Sequence, residues 1–413
     1  MTKLRIAIFI STIIFVGVIG WLLFLYAKGY RVNSDRLRLE PNGLLVIKSV
    51  PDGAQIYIDG ELETATNTTI PLAPGTYDVT LKKEGFFEWE KRLNIDKEIV
   101  TETTAHLFKI APSLSAITFN GVYNPIPSYD MTKIVYVVPT KKNDDVHNEE
   151  QAGLWVMEIV DLPLGFSRDP KRITDGNLKN AVYEWSIDNR EILLTTQSGA
   201  YLLDSSRFTP QNQLVNEISN HDELIIKWNK EKQQKLNSQI RSLPDELIDV
   251  LSRKTHSLSF SPDKDMVLYT ASSSAKLSAN LIKPVPGAST QKQDRDIKVS
   301  HTYIYDIKED RNFLIDLDSS NLIVQSDKPN HDLVDIINPT RRISWLPTSR
   351  HLILAEKDKV TIMDYDRTNR EEVYKGSFVN PHAFPTLSSG RILILTNLGA
   401  ENTTPNLYSL SVK

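Results

Sequence analysis

Phe260-Ser261-Pro262-Asp263-Lys264-Asp265-Met266-Val267-Leu268-Tyr269 decides the fold, because its pattern of a polar turn followed by an apolar strand recurs. The sequence returns to it five times between about Ser113 and Lys413. The other copies are Ser128-Tyr129-Asp130-Met131-Thr132-Lys133-Ile134-Val135-Tyr136, Trp185-Ser186-Ile187-Asp188-Asn189-Arg190-Glu191-Ile192-Leu193-Leu194, Trp345-Leu346-Pro347-Thr348-Ser349-Arg350-His351-Leu352-Ile353-Leu354 and the run from Phe384 to Leu395. After each comes a second strand: GLWVMEI, GAYLLDS, TYIYDIK, KVTIMDYD and NLYSLSV. Such a two-strand unit cannot bury its apolar face alone, so copies must pack on one another. Radial packing of four-stranded sheets gives a β-propeller, here of five or six blades.

The spacing is uneven. From Ser186 to Ser261 is 75 residues, longer than a blade of ~40–45. The excess reads as helix. Asn220-x-x-Glu223 and Ser242-x-x-Asp245 fit a helix-start capping pattern. Ile225, Trp228, Leu236, Ile240 and Leu243 recur near helical spacing, and Leu247, Ile248 and Leu251 follow Pro244. Two helices are therefore expected from Asp222 to Arg253, within an insertion spanning about 214–253. A second insertion, Ala271 to Arg295, is rich in Ser, Lys, Gln and Pro and is expected to be a mobile loop, as is Lys141 to Gln151.

The repeat resembles that of periplasmic TolB-type propellers, whose core is Trp/Phe-Ser-Pro-Asp-Gly-x-x-Ile/Leu. Phe260 to Asp263 matches that core well, and the other copies are degraded. The resemblance implies a fold and not a function.

Upstream the pattern changes. LLVIKSV (Leu44 to Val50) and QIYIDG (Gln55 to Gly60) are strands around the turn Pro51-Asp52-Gly53. TYDVTLKKEG (Thr76 to Gly85), KRLNI and EIVTETTAHLF continue the series, and no helix is expected. SVPDGAQIYIDG, then Leu72-Ala73-Pro74-Gly75-Thr76-Tyr77 and Lys83-Glu84-Gly85-Phe86, resembles the PEGA domain over Gly43 to about Phe108. Two departures stand out. The family's Gly-x-Thr-Pro is Thr64-Ala65-Thr66-Asn67 here, and its Gly-Tyr is Gly85-Phe86. The resemblance implies a small all-β sandwich, typical of prokaryotic surface or envelope proteins, acting as a binding or spacer module.

Ile6 to Ala27 (IAIFISTIIFVGVIGWLLFLYA) is free of charge. At ~1.5 Å per residue it makes roughly 33 Å of helix, enough for a ~30 Å hydrocarbon core. Trp21, Tyr26 and Tyr30 lie at its C-terminal end, where amphipathic rings favour the interface. The run exceeds the apolar region of a cleaved signal peptide, and Leu25-Tyr26-Ala27 is not a small-x-small site. It reads as an uncleaved anchor. Lys3 and Arg5 on the short N-terminal side place the large C-terminal portion outside the cytoplasm. The organisation expected is tail and anchor 1–31, an irregular polar stalk 32–42, a PEGA-like domain 43–110 and a propeller 111–413.

Composition limits the chemistry. With a formal charge of −4, nothing points to nucleic acid. The absence of cysteine removes disulfides, thiolate metal sites and cysteine nucleophiles together. No Gly-x-Ser-x-Gly, His-Glu-x-x-His or phosphate-cradling Gly loop occurs, and no two histidines stand four apart. No catalytic, cofactor or metal residue is therefore expected. Asp263 with Asp265, and Asp316 with Asp318, come nearest to a calcium loop but lack its Gly and Glu, so turn capping is the reading. Trp185, Phe260, Trp345 and Phe384 read as core between blades, with a sugar-stacking platform as the alternative. Trp228 makes the helical insertion either a cover over one propeller face or a partner-docking element. Asn67-Thr68-Thr69 and Asn402-Thr403-Thr404 fit the N-glycosylation acceptor, a weak signal here.

These readings predict a mainly β, non-enzymatic, single-pass envelope protein whose extracytoplasmic domains bind a protein or cell-surface glycan. Two alternatives stand beside it: a propeller lyase or hydrolase with acidic residues in its funnel, and a purely structural spacer.

Overall fold

The computed structural model describes residues 2–27, 30–33, 38–140, 151–160, 169–283, 285, 289–315, 343–388, 390–400 and 403–413. The chain divides into two units, 1–107 with 284–291, and 108–283 with 292–413.

In the first unit, helix α1 (Thr2–Ala27) carries the apolar run, and its stretch Arg5–Ala27 is long and apolar enough to cross a membrane. The expected irregular stalk is instead a hairpin, β1 (Tyr30–Asn33) antiparallel to β2 (Arg38–Pro41), with Val32 opposite Leu39. Tyr30, Val32 and Leu39 supply a two-residue alternation too short to stand out in the sequence.

Two sheets follow. One has β3 (Gly43–Val50) at its centre, antiparallel to β6 (Thr68–Leu72) and parallel to β9 (Val100–His106). The other orders β5 (Glu61–Ala65), β4 (Gln55–Ile58), β7 (Gly75–Lys82) and β8 (Trp89–Ile95). Alternate residues point inward, so Leu45 and Ile47 of β3 meet Ile56, Val79, Leu81, Trp89 and Leu93 in one core.

Among the described residues the second unit holds five sheets of three or four strands in chain order. The first is β11 (Tyr123–Pro127), β12 (Lys133–Val138), β13 (Gly153–Glu158) and β14 (Lys171–Asp175). The second is β15 (Val182–Trp185), β16 (Glu191–Thr196) and β17 (Gly199–Asp204). The third is β18 (Thr255–Phe260), β19 (Met266–Ala271), β22 (Thr302–Asp306) and β23 (Arg311–Leu314). The fourth is β24 (Ile343–Trp345), β25 (His351–Glu356), β26 (Lys359–Asp364) and β27 (Glu371–Lys375). In the fifth, β28 (Ala383–Pro385), β29 (Arg391–Thr396) and β30 (Asn406–Ser411) are joined by β10 (Ser113–Ala116), so Ser113 pairs with Ser411.

Among the described residues no sheet closes on itself; the sheets pack side by side. Buried side chains of β12, β13 and β14 mesh with Tyr183, Trp185 and Ile192 of the second sheet. Those of β19, β22 and β23 mesh with Trp345, Leu352 and Met363 of the fourth. Phe384, Leu393 and Leu407 of the fifth sheet pack on Ile134, Tyr136 and Met157 of the first. Strands such as β19 are buried at every position because both faces of the sheet are covered, which explains their unbroken apolar runs. This is a propeller with its last blade completed by the strand that opens it.

Between the second and third sheets stand α2 (His221–Ile240) and α3 (Asp245–Arg253). Trp228, 4% exposed, packs on Leu193 and Ala200 of the second sheet. Ile240, Leu247, Val250 and Leu251 pack on Leu258, Tyr269, Tyr303 and Tyr305 of the third. The helices are therefore a sector of the ring, and Trp228 is a core residue rather than a docking element. Neither capping box forms. The Asn220 side chain donates to Glu217 instead of accepting at the start of α2. Ser242 donates back to the Gln239 carbonyl, and α3 opens on Pro244.

Described residues of the insertion from Ala271 to Arg295, expected as a mobile loop, pack against the third sheet. β20 (Ala275–Lys276) pairs with β21 (Asp296–Ile297), and Leu277 and Ile297 are buried. Of Lys141 to Gln151, all but Gln151 lies outside the described residues.

Candidate functional site: the axial cavity

The turn that opens the repeat is built the same way in three of the five copies. In these a serine hydroxyl donates to an aspartate two residues on: Ser128 to Asp130, Ser186 to Asp188 and Ser261 to Asp263, each at 2.6 Å. The first amide of the next strand donates to that hydroxyl in turn, as Met266 does to Ser261 at 3.0 Å. Asp263 thus caps a turn, and Asp265 pairs with Lys308 at 2.5 Å. Asp316 and Asp318 lie outside the described residues. No group of three His, Asp or Glu side chains arranged to hold a metal occurs among the described residues.

The aromatic residues of the repeat join neighbouring sheets. The indole nitrogen of Trp185 donates to the carbonyl of Ile126 at 3.0 Å, and that of Trp345 to Ser259 at 3.3 Å. Trp185, Trp345 and Phe384 are 2%, 7% and 2% exposed, so none of these three offers an open face to a sugar, whereas Phe260 is half-buried. Asn67 sits in a turn and its amide oxygen accepts the Ser49 N–H at 3.2 Å; Asn402 lies outside the described residues.

Where the first strands of the sheets converge they enclose a cavity of about 480 Å³. Its walls come from the ends of β11, β18, β24 and β28 and from one face of α2. Phe260, Trp345, Phe384, Leu236 and Leu258 make it largely apolar. Among the described residues, Lys232, Lys235 and Lys264 supply three cations, against one carboxylate, Asp130, which already accepts from Ser128 and Thr132. Lys232 is 8% exposed, with its ammonium 4.9 Å from the centre of the Tyr129 ring. Burial holds that ammonium below the usual lysine range, and Glu184 on β15 acts in the opposite direction. Lys232 was not legible in the sequence, since only the packing of Trp228 turns this face of α2 toward the axis.

Two other polar clusters lie away from the cavity. Thr348, His351 and Asp364 form a hydroxyl–imidazole–carboxylate chain at 2.7 and 3.2 Å. It resembles a nucleophilic triad in composition. His351 and Asp364 are nevertheless opposed partners on β25 and β26 and are buried, so the chain fastens two strands. At the junction of the third and fourth sheets, Asp306 is pushed up to about 7 by burial and by Glu309, against Arg350 at 3.5 Å. Neither cluster contributes to the cavity wall.

The fold defines a mainly β protein with an apolar N-terminal helix and a propeller-type repeat domain. The PEGA domain family matches residues 42–110, so the first unit carries a PEGA domain. No curated protein matches the chain. Among solved structures, a TolB of Agrobacterium tumefaciens is 11% identical, with 69% of this chain and 73% of that one covered and a TM-score of 0.22. The β-propeller domain of Cps50 (Swd1) from Myceliophteria thermophila is 10% identical, covering 73% and 100%, with a TM-score of 0.29. U3-55K is 8% identical, covering 72% and 98%, with a TM-score of 0.28. The propeller assignment rests on the five sheets and their junctions.

Proposed function

We propose that this protein is a non-enzymatic, single-pass envelope protein. Its anchor is Ile6 to Ala27, its C-terminal portion is extracytoplasmic, and its propeller captures a partner protein in the axial cavity. The PEGA domain acts as a spacer or wall contact. The observation that carries this reading is the cavity: it is ringed by inner strands, largely apolar, and among the described residues lined by one carboxylate, which is already engaged. Glycoside cleavage calls for two carboxyl groups facing each other across the bond, and a single engaged aspartate favours binding over that chemistry.

The test is protease accessibility in intact cells, combined with a photo-crosslinking residue at Leu387 on the cavity wall. External protease should remove the C-terminal portion, and the crosslinker should trap a defined envelope protein. Protection until the membrane is opened would reverse the orientation. Turnover of a wall or peptide substrate by the purified chain would overturn the non-enzymatic assignment.

A further inference from the structure

We propose that the cavity receives the carboxy-terminal end of the partner polypeptide, with the terminal carboxylate at Lys232 and the last side chain against Leu236, Phe260 and Phe384. This rests on the cavity being the binding site. Charge is the first argument. Among the described residues three lysines face one occupied carboxylate, and the Lys232 ammonium has an aromatic face as its contact and no ion pair. Glu184 attracts that ammonium without forming an ion pair with it; a buried ammonium with no anion in direct contact is costly, and an incoming carboxylate completes it.

The main chain is the second argument. β11, β15, β18, β24 and β28 each lie at the end of their sheet order. Each therefore has one edge outside its sheet's ladder, and four of the five contribute to the cavity wall. A peptide backbone can use such groups, whereas a fatty acid cannot. Sugars want several planar polar side chains and open aromatic faces; the described wall residues offer Gln239 and an already engaged Asp130, and Trp345 and Phe384 are buried. The volume lies within the ~300–1,000 Å³ range of small-ligand sites, enough for a chain end.

The experiment uses the full chain in detergent and an array of fluorescent hexapeptides ending in each of the twenty residues, each as free acid and as carboxamide. Anisotropy should show binding by acids with an apolar last residue, weaker by at least about tenfold for the matching amides. Lys232→Met should lose a similar factor and Lys232→Arg should retain most binding. If Lys232→Met fails to fold, the acid–amide contrast on the native chain decides. Equal binding of acids and amides, a blank array, or equal competition by decanoate or glucuronate overturns the inference. A blank array with a partner still trapped at Leu387 refutes the chain-end assignment and leaves the proposed function standing. A partner trapped only on the outer surface refutes both.

Discussion

The indole nitrogen of Trp345 donates to the carbonyl of Ser259 across the junction of the third and fourth sheets, and Trp185 stands in the same relation to Ile126 across the junction of the first and second. Both acceptors lie two residues before the turn position occupied by Ser128 and Ser261. The bond is therefore a property of the repeat. Trp345→Phe keeps most of the apolar volume and removes the donor, so the Ser259 carbonyl loses its partner across the junction. A loss of about 0.5–1.5 kcal/mol is expected in urea unfolding of the full chain in detergent. An unchanged midpoint would show that the bond contributes nothing.

The third residue after the turn serine has a left-handed backbone in each of three copies: Met131 (φ 57), Asn189 (φ 60) and Lys264 (φ 66). Glycine fits this conformation without strain. Met131→Gly should therefore leave stability unchanged or raise it by up to roughly 1 kcal/mol. Asn189→Gly should lower it by about 1 kcal/mol, because the Asn189 amide oxygen accepts the Tyr129 N–H at 2.8 Å across the sheet junction. Opposite signs at equivalent positions are the result to look for.

Trp228 ties the helical sector to the second sheet. Trp228→Ala removes its whole contact with Leu193 and Ala200, an expected loss of roughly 3–5 kcal/mol. Hydrogen exchange should rise first in β16 and β17 and only later in β29. Uniform acceleration throughout the ring would contradict the placement of the helices as a separate sector.

His382 is held neutral: burial lowers its pKa to about 4. The folded value lies below the unfolded value of ~6.5, so the contribution is present above pH 6.5 and is lost as pH falls through 4. The full span corresponds to about 3 kcal/mol. Subtracting the stability–pH curve of His382→Gln from that of the native chain should leave this slope between pH 7 and 4. A flat difference would show that the imidazole is not buried in solution.

Much of the fold is legible because it depends on local period. The strand after each turn is apolar, and the five second strands fall where their alternation places them. Ile225, Trp228 and Leu236 mark a helix by spacing alone. What escapes is set by tertiary partners. The capping boxes at Asn220 and Ser242 have the right letters, but their side chains find Glu217 and Gln239 first. The β20–β21 pair offers two residues per strand, below any periodic signal. The cavity is the least legible of all. Its walls come from residues as far apart as Pro127 and Leu387, and the direction of Lys232 follows from where Trp228 is buried.

The pairing of Ser113 with Ser411 has a consequence for biosynthesis. β10 leaves the ribosome roughly 300 residues before its partner exists, an interval of about 15–60 s at ordinary elongation rates. Throughout that time an edge strand waits without its neighbour, exposed to mispairing. Assembly of the ring must therefore finish after the last strand is made. Translation speed and any factor that shelters nascent β edges become determinants of how much protein reaches its final form.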